Sequence, residues 1–239
     1  LAWSWAFAPA GPGSTGMQVE PIVYDGVMYI RHANGRYSAH DATTGDIIWE
    51  YSRELPEEIT SGDAVFPVHR GRGVFLFEDR LISHSTDGML FALDPRTGEL
   101  VWENAAVGEN LLHGSWTNPA YAEIDGRGQI IFPGGNGIIY SLDAATGEIV
   151  WQFDCNPKDA EWALGGRGTR NNILSTPVVY DDKVYIGVGQ DPEHGEAPGQ
   201  FWAVDATGTG DVTDTHVVWH RGGEDFYRTM STAAIKDDI

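Results

Sequence analysis

Short apolar runs that alternate with polar residues dominate the chain, and most end in Asp-Gly, Asp-Asp or Thr-Gly. Alternation with a period of two is typical of β-strands that bury one face. No apolar pattern at helical spacing extends beyond about two turns. The 30 glycines and 12 prolines agree with a chain that turns often. The pattern therefore predicts an all-β fold.

One ten-residue pattern occurs three times, as "DATTGDIIWE" at 41–50, "DPRTGELVWE" at 94–103 and "DAATGEIVWQ" at 143–152. A fourth, longer copy ends in the same way. The repeat tryptophans are spaced by 53, 49 and 68 residues and are Trp49, Trp102, Trp151 and Trp219. Insertions at 189–200 and 208–215 lengthen the last copy. A period near fifty residues with four short strands per copy is typical of the blades of a β-propeller.

Each part of the repeat has a predicted structural role. Asp25-Gly26 and Asp181-Asp182 are expected to close hairpins with positive φ. The glycine of each Thr-Gly pair is expected in the left-handed region, and the aspartate that begins each copy is expected to accept backbone N–H bonds. These glycines are Gly45, Gly98 and Gly147, and the aspartates are Asp41, Asp94 and Asp143. We expect each repeat tryptophan, on the outermost strand, to fill the gap between neighbouring blades and to bury about 150–250 Å².

We expect one β-propeller segment over residues 1–239. Its parts are a closing strand at 1–7, blades at about 17–53, 70–104, 116–154 and 173–221, and the start of a further blade at 231–239. Because the chain begins on the last strand of one blade and stops inside another hairpin, we expect an incomplete segment of a larger propeller of the eight-bladed type. Open blade edges in such an arc predict self-association.

Charge and cysteine content exclude several classes of function. The formal net charge of −20 argues against nucleic acid as a partner, because phosphates need Lys and Arg. The sequence contains no run of about 18 apolar residues, so no transmembrane helix is predicted. The only cysteine, Cys155, rules out an intrachain disulfide and CxxC motifs, and is expected to be a packed thiol.

The repeat D-x-x-T-G-x-x-x-W, preceded by "YSLDAATG", "FALDPRTG" or "AVDATG", resembles that of the pyrroloquinoline-quinone (PQQ) enzymes over nearly the whole chain. The first hundred residues are similar to PQQ-dependent alcohol dehydrogenases, and the back half is similar to uncharacterised PQQ-like repeat proteins. The resemblance implies part of a quinoprotein dehydrogenase that oxidises an alcohol or a similar small molecule, in the periplasm or secreted. The alternative is a non-catalytic scaffold for protein partners, similar to the outer-membrane assembly lipoprotein BamB.

The same resemblance implies site residues and two cofactors, PQQ and calcium. "RGVFLFEDRLI" at 72–82 resembles the segment whose arginine approaches the quinone, which makes Arg72 a cofactor residue. An acidic family residue before the first hairpin corresponds to Gln18 or to Glu20, and Gln18 takes that position when Pro21 is aligned. Glu193 is the implied metal ligand, and a solvated acidic loop is the alternative. The cysteine pair of the family is absent, and no catalytic base is identified.

The chemical groups of PQQ determine which groups its binding site must provide. Its three carboxylates need guanidinium groups and other hydrogen-bond donors, and its planar ring needs an aromatic floor. A calcium ion needs hard oxygen ligands. Arg167 and Arg170, in "GGRGTRN" at 165–171, are further candidates for binding an anion, and a loop that only connects two blades is the alternative interpretation.

Overall fold

The structure is a computed structural model that describes residues 3–4, 19–32, 35–54, 73–85, 88–109, 115, 117–163, 168–190, 199–227 and 229–236. The described residues form eighteen β-strands and two single 3₁₀ turns, Ala106–Gly108 and Gly223–Asp225. None of them belongs to a helix long and apolar enough to cross a membrane. The predicted all-β fold is confirmed.

The strands form four sheets, numbered here in chain order. Sheet 1 contains β1 (Ile22–Tyr24), β2 (Val27–Arg31), β3 (Arg36–Asp41) and β4 (Ile47–Ser52). Sheet 2 contains β5 (Phe75–Phe77), β6 (Arg80–His84), β7 (Leu90–Leu93) and β8 (Leu100–Asn104). Both are antiparallel meanders, in which each strand pairs with the next along the chain.

The other two sheets carry one extra strand each. Sheet 3 contains β9 (Ala120–Ile124), β10 (Arg127–Pro133), β11 (Ile138–Asp143), β12 (Ile149–Asp154) and β17 (Gly210–Asp211). Sheet 4 contains β13 (Asn172–Ile173), β14 (Val178–Tyr180), β15 (Lys183–Gly189), β16 (Gln200–Asp205) and β18 (Val217–Gly222). Both β13 and β14 pair with β15.

The chain divides into two compact units, Leu1–Ala105 and Ala106–Ile239, called unit 1 and unit 2 below. In unit 1, apolar residues of sheet 1 such as Tyr29 and Trp49 pack against residues of sheet 2 such as Leu81 and Phe91. In unit 2, sheets 3 and 4 share a second core that contains Trp151. The organisation predicted from the sequence, a single propeller segment over 1–239 with the blade boundaries given above, stays a prediction.

The turns have the predicted backbone. The hairpin residues have positive φ: 48° at Asp25, 76° at Gly26, 49° at Asp181 and 54° at Asp182. The Thr-Gly glycines have φ of 81°, 74° and 74° at Gly45, Gly98 and Gly147. The Oδ1 atoms of Asp41, Asp94 and Asp143 each accept two backbone N–H bonds of 2.7–3.2 Å. Local turn chemistry therefore determines one end of sheets 1 to 3.

Indole rings pack directly on the Thr-Gly glycines of unit 1. A Cβ added to Gly45 would lie 2.7 Å from the ring of Trp3, and one added to Gly98 would lie 2.6 Å from the ring of Trp49. Each Nε1–H donates to the carbonyl three residues before that glycine, at 3.1 Å for Trp3 and 2.9 Å for Trp49. The contact requires both a turn that exposes a carbonyl and a residue without a side chain.

The fourth repeat differs from the other three because part of its insertion forms a β-strand. Residues Gly210–Asp211 form β17, which pairs in parallel with β12 beside Trp151. Trp151 is fully buried, and its Nε1 donates to Gln129 Oε1 at 3.2 Å. The Thr-Gly glycine of this repeat, Gly208, is covered by His216 and Val212 instead of an indole. The long spacing before the last tryptophan therefore reflects a strand added to sheet 3.

Among the described residues, the ring contacts of Trp219 are with its own sheet. Its side chain is 39% exposed and contacts Tyr185 and Phe201 of its own sheet, at ring-centroid distances of 6.1 and 5.3 Å. Val217 and Val218 on the same strand are also exposed. Among the described residues, no strand pairs with the outer edge of β18. Self-association through such an edge stays a prediction.

We predict that Gly98→Ala destabilises unit 1 more than Gly26→Ala does. Both glycines have positive φ, 74° and 76°, so alanine strains the backbone at both positions by about 1 kcal/mol. Only at Gly98 does the new methyl group also meet an indole ring, which adds about 1–3 kcal/mol of overpacking, whereas nothing lies within 4 Å of a Cβ at Gly26.

Denaturant unfolding followed by tryptophan fluorescence measures both variants. Equal losses of unfolding free energy for Gly98→Ala and Gly26→Ala would contradict the importance of the indole contact and would leave backbone strain as the only cost.

Candidate functional site

Because almost all neighbouring strands are antiparallel, each sheet has two ends, and the two ends carry different turns and loops. The turn end carries the first hairpin turn, such as Asp25-Gly26, and the Thr-Gly turn. The loop end carries the start of the first strand, the connection between the second and third strands, and the exit of the fourth strand. In propeller-like and barrel enzymes, connections of this kind carry the binding residues, because they vary without disturbing the strands.

Of the predicted cofactor and metal residues, Glu20 lies among the described residues, at the loop end of sheet 1. Glu20 lies two residues before β1 and is exposed. Gln18, Arg72 and Glu193 lie outside the described residues. The contacts of these residues with a cofactor stay predictions.

An aromatic cluster occupies the loop end between sheets 1 and 2 of unit 1. Tyr37 meets Phe91 edge-on at 5.3 Å between ring centroids, and Tyr51 lies 6.1 Å from Tyr37 and 5.9 Å from Phe91. Two guanidinium groups lie over the cluster: Arg31 over the Tyr37 ring and Arg53 over the Phe91 ring, both at 5.9 Å. Guanidinium groups over aromatic faces, next to variable loops, suit the binding of an anionic planar group.

The two arginines differ in their pairing. Arg53 Nη1 lies 2.8 Å from Glu103 Oε2, so its charge is compensated. Arg31 is 4% exposed, and its Nε and Nη1 are buried with no hydrogen-bond partner. No other described residue forms an ion pair with Arg31. A buried guanidinium in this condition is the most unusual polar group of unit 1.

A short chain of contacts connects this cluster to the segment that begins with the predicted Arg72. Ser83 Oγ donates to the carbonyl of Gly73 at 3.0 Å and lies 3.3 Å from Tyr37 Oη. Gly73 directly follows Arg72 in the sequence and has φ of 108°, a conformation that favours glycine. Ser83 therefore fixes the backbone next to Arg72 relative to the aromatic cluster.

Histidines that show no metal-binding spacing in the sequence form a buried relay on the other face of sheet 1. His32 Nε2 lies 2.6 Å from Ser38 Oγ, and Ser38 Oγ lies 2.7 Å from His40 Nε2. His40 Nδ1 donates to the carbonyl of Gly45 at 3.1 Å. Because a carbonyl only accepts, Ser38 donates to His40, and His32 donates to Ser38. The relay runs from the loop end to the turn end of sheet 1.

Burial lowers the pKa of His32 from 6.5 to about 4, and the nearby positive charges of Arg36 and protonated His40 contribute to the lowering. His32 is therefore neutral at physiological pH. The relay could have been found from one signal in the sequence. This signal is the pair of polar residues Ser38 and His40 at alternating positions of β3, where both are buried.

At the loop end of unit 2, Arg170 is part of a network of paired polar groups. Arg170 Nη2 lies 2.7 Å from Asp154 Oδ1, and the same guanidinium donates to the carbonyl of Asn136 at 3.2–3.3 Å. The Asn136 side chain donates to Tyr140 Oη at 2.7 Å. Arg170 thus joins two loops of its own unit and has its charge compensated, which disfavours it as an anion-binding residue. Arg167, the other candidate in "GGRGTRN", lies outside the described residues.

A groove of about 510 Å³ opens at the turn end of unit 1. It is lined by apolar side chains such as Ile48 and Leu76 and by the acids Asp25, Glu78 and Asp79. It lies at the opposite end of the sheets from Glu20 and Arg31, so it is distinct from the predicted cofactor position. Among the described residues, no group of three or more His, Cys, Asp or Glu side chains is placed to hold a metal ion.

Comparison with known proteins supports the resemblance predicted from the sequence. Residues 1–114 match the family described as glucose/ethanol/alcohol dehydrogenase, beta-propeller domain. The quinoprotein alcohol dehydrogenase PedH of Pseudomonas putida KT2440 is 37% identical over 98 residues, and a quinoprotein ethanol dehydrogenase of Pseudomonas aeruginosa is 32% identical over 102 residues. These alignments cover 41% and 43% of this chain but only 16% and 15% of the relatives.

Solved structures extend the likeness of fold to most of the chain. A quinohemoprotein alcohol dehydrogenase from Pseudomonas putida HK5 superposes on 86% of this chain and 34% of its own, with a TM-score of 0.60 and 22% identity. BamB from Moraxella catarrhalis covers 84% of this chain and 61% of its own, with a TM-score of 0.50 and 18% identity. The fold is therefore that of the PQQ-repeat β-propellers, a fold that both classes of protein share.

We predict that protonation of His32 weakens the folded state in mild acid. Since the folded pKa is near 4 and the unfolded value is 6.5, the unfolded chain binds a proton that the folded chain excludes. The free energy of unfolding should therefore fall by about 2 kcal/mol between about pH 6.5 and pH 5 through this group alone.

The measurement is urea unfolding at both pH values for the wild type and His32→Gln, whose side chain does not titrate. His32→Gln should lose less stability over this interval than the wild type. Parallel losses in the two proteins would show that His32 is not the titrating group.

Proposed function

We propose that this chain is part of a quinoprotein of the PQQ-dependent alcohol dehydrogenase type. The observation that carries the proposal is the match of residues 1–114 to the dehydrogenase propeller family, a segment that includes all of unit 1. The chain spans about one sixth of the curated relatives it matches, so the activity of the whole protein is part of the proposal. By the same resemblance, we expect a periplasmic location.

One structural observation supports the fit of an anionic quinone to the residues of unit 1. PQQ carries carboxylates, and the loop end of unit 1 presents a buried guanidinium, Arg31, with two unpaired nitrogens above an aromatic ring. Arg72, with Gln18 or Glu20, is proposed to bind the same group. When bound, the quinone would accept hydride from an alcohol. This chain would bind and orient the quinone and hold water away from it.

A bound metal ion is part of the proposal only because the chain resembles the PQQ enzymes. Calcium is the expected ion, with Glu193 as its proposed ligand. A europium-containing methanol dehydrogenase also shares the fold, with a TM-score of 0.60 and 17% identity. Reconstitution should therefore test calcium and a lanthanide separately.

A second candidate function is a scaffold that binds a protein partner. The groove at the turn end of unit 1 favours it, because Tyr24 and Ile48 in its wall are 63% and 49% exposed. Contiguous exposed apolar side chains are typical of interaction surfaces. A partner at this groove is compatible with a cofactor at the loop end.

We predict that the chain binds PQQ and that Arg72→Met lowers the affinity at least about tenfold, since one charge-assisted contact to a carboxylate is lost. Arg96→Met is the matched control, because Arg96 is exposed at the turn end of sheet 2. Equilibrium dialysis measures the affinity. Failure of the folded wild-type chain to bind PQQ would reject the proposal for this segment.

For the whole protein, we expect reduction of an artificial dye in the presence of PQQ, a primary alcohol and either calcium or a lanthanide. A folded, PQQ-loaded protein that reduces no dye with either ion would reject the dehydrogenase assignment and favour the scaffold.

A further inference from the structure

Arg31 is a charged group for which the described chain provides no compensation. Arg31 is 4% exposed, its Nε and Nη1 have no hydrogen-bond partner, and its guanidinium carbon lies 5.9 Å from the centre of the Tyr37 ring. The shortage of partners is local, because the chain has 35 acidic and 15 basic residues. Burying an unpaired charge strongly destabilises a fold, so such a group normally has a partner, and the described residues do not provide it.

Other poorly exposed arginines of the chain are paired. The side chains of Arg53 and Arg170 are 13% and 15% exposed, and each lies within 2.8 Å of a carboxylate oxygen. The Nη1 of Arg80 pairs with its neighbour Asp79 at 2.8 Å, and the Nε of Arg80 is buried without a hydrogen-bond partner. The missing partner of Arg31 is therefore specific to its position.

That position is the loop end of unit 1, next to the segment proposed to bind the cofactor. Arg31 is the last residue of β2 and lies directly opposite Tyr37 in the register of β2 and β3. Tyr37 Oη lies 3.3 Å from Ser83 Oγ, which holds the carbonyl of Gly73 next to Arg72. The side chains of Tyr37 and Ser83 thus connect Arg31 to the backbone of Gly73.

We infer that Arg31 is a second carboxylate-binding residue of this site, and that it takes a carboxylate group of an aromatic polycarboxylate. The inference rests on the proposed function, in which that ligand is PQQ. An arginine matches a carboxylate because its planar donors align with two acceptor oxygens. The Tyr37 ring beneath the guanidinium restricts its orientation, so the donors are positioned before the ligand arrives.

This role predicts opposite effects of one substitution on stability and on binding. Arg31→Met keeps a long unbranched side chain and removes the unpaired charge, so the ligand-free melting temperature should stay the same or rise. The affinity for PQQ should fall about 10- to 100-fold, the range for a lost charge-assisted hydrogen bond. An arginine with a purely structural role would show a lower melting temperature and an unchanged affinity.

The experiment measures PQQ binding by equilibrium dialysis and melting temperature by calorimetry in the 239-residue chain. Arg36→Met is the matched control, because Arg36 lies on the neighbouring strand and pairs with the exposed Glu50 at 2.7 Å. Its affinity should stay within about twofold of the wild type. Arg31→Lys, which keeps the charge but not the planar donors, should bind with intermediate affinity and serves if Arg31→Met does not fold.

Parallel titrations with benzene-1,2,4-tricarboxylate and inorganic phosphate separate the two proposals. Binding of PQQ that depends on Arg31 supports both. Binding of PQQ that is equal in the wild type and Arg31→Met overturns the role of Arg31 and leaves the proposed function in place. Arg31-dependent binding of the tricarboxylate without PQQ binding supports the carboxylate site and rejects PQQ. Binding of phosphate alone, or of none of the three probes, overturns the inference.

Discussion

The contact between an indole ring and a Thr-Gly turn is the constraint on which the packing of unit 1 depends. Gly98 has to adopt φ of 74° to close its turn, and it also has to lack a Cβ because the Trp49 ring lies on it. The aspartate that begins the turn occupies the backbone N–H groups, which leaves the carbonyl of Pro95 free to accept the indole N–H at 2.9 Å. One short motif thus determines both a local conformation and the spacing between two sheets.

This coupling explains which parts of the structure could be predicted from the sequence. The hairpin at Asp25-Gly26 and the turn at Gly98 follow from residues adjacent in the chain, and both were predicted correctly. The strand β17 and the exposure of Trp219 depend on how an insertion folds back and on what covers an edge. Neither property follows from the period of the repeat, so the sequence pattern predicts neither the added strand nor the 39% exposure of Trp219 in the described residues.

The candidate site shows the same division between local and non-local information. The loop-end position of Glu20 follows from the strand pattern, because it depends only on where β1 begins. The unpaired state of Arg31 depends on which carboxylates the fold brings near it, and a sequence of 35 acidic residues suggests that every arginine has one. The relay through Ser38 likewise requires His32 and His40 to meet across two strands. Pairing of buried polar groups is a tertiary property, so binding residues of this kind emerge only from the fold.

In unit 1, the contacts that stabilise the fold and the residues proposed to bind a ligand lie at opposite ends of the sheets. Repeated turns and indole contacts lie at the turn end, where a substitution disturbs the packing between sheets. Arg31, whose guanidinium has two buried nitrogens without a hydrogen-bond partner, lies at the loop end, where the same fold tolerates a cost in stability. The match to the dehydrogenase propeller family ends at residue 114 and so includes this loop end, whereas unit 2 compensates its own buried arginine, Arg170, with Asp154. Because family resemblance and uncompensated charge coincide in unit 1, an anionic ligand is better supported there than in unit 2.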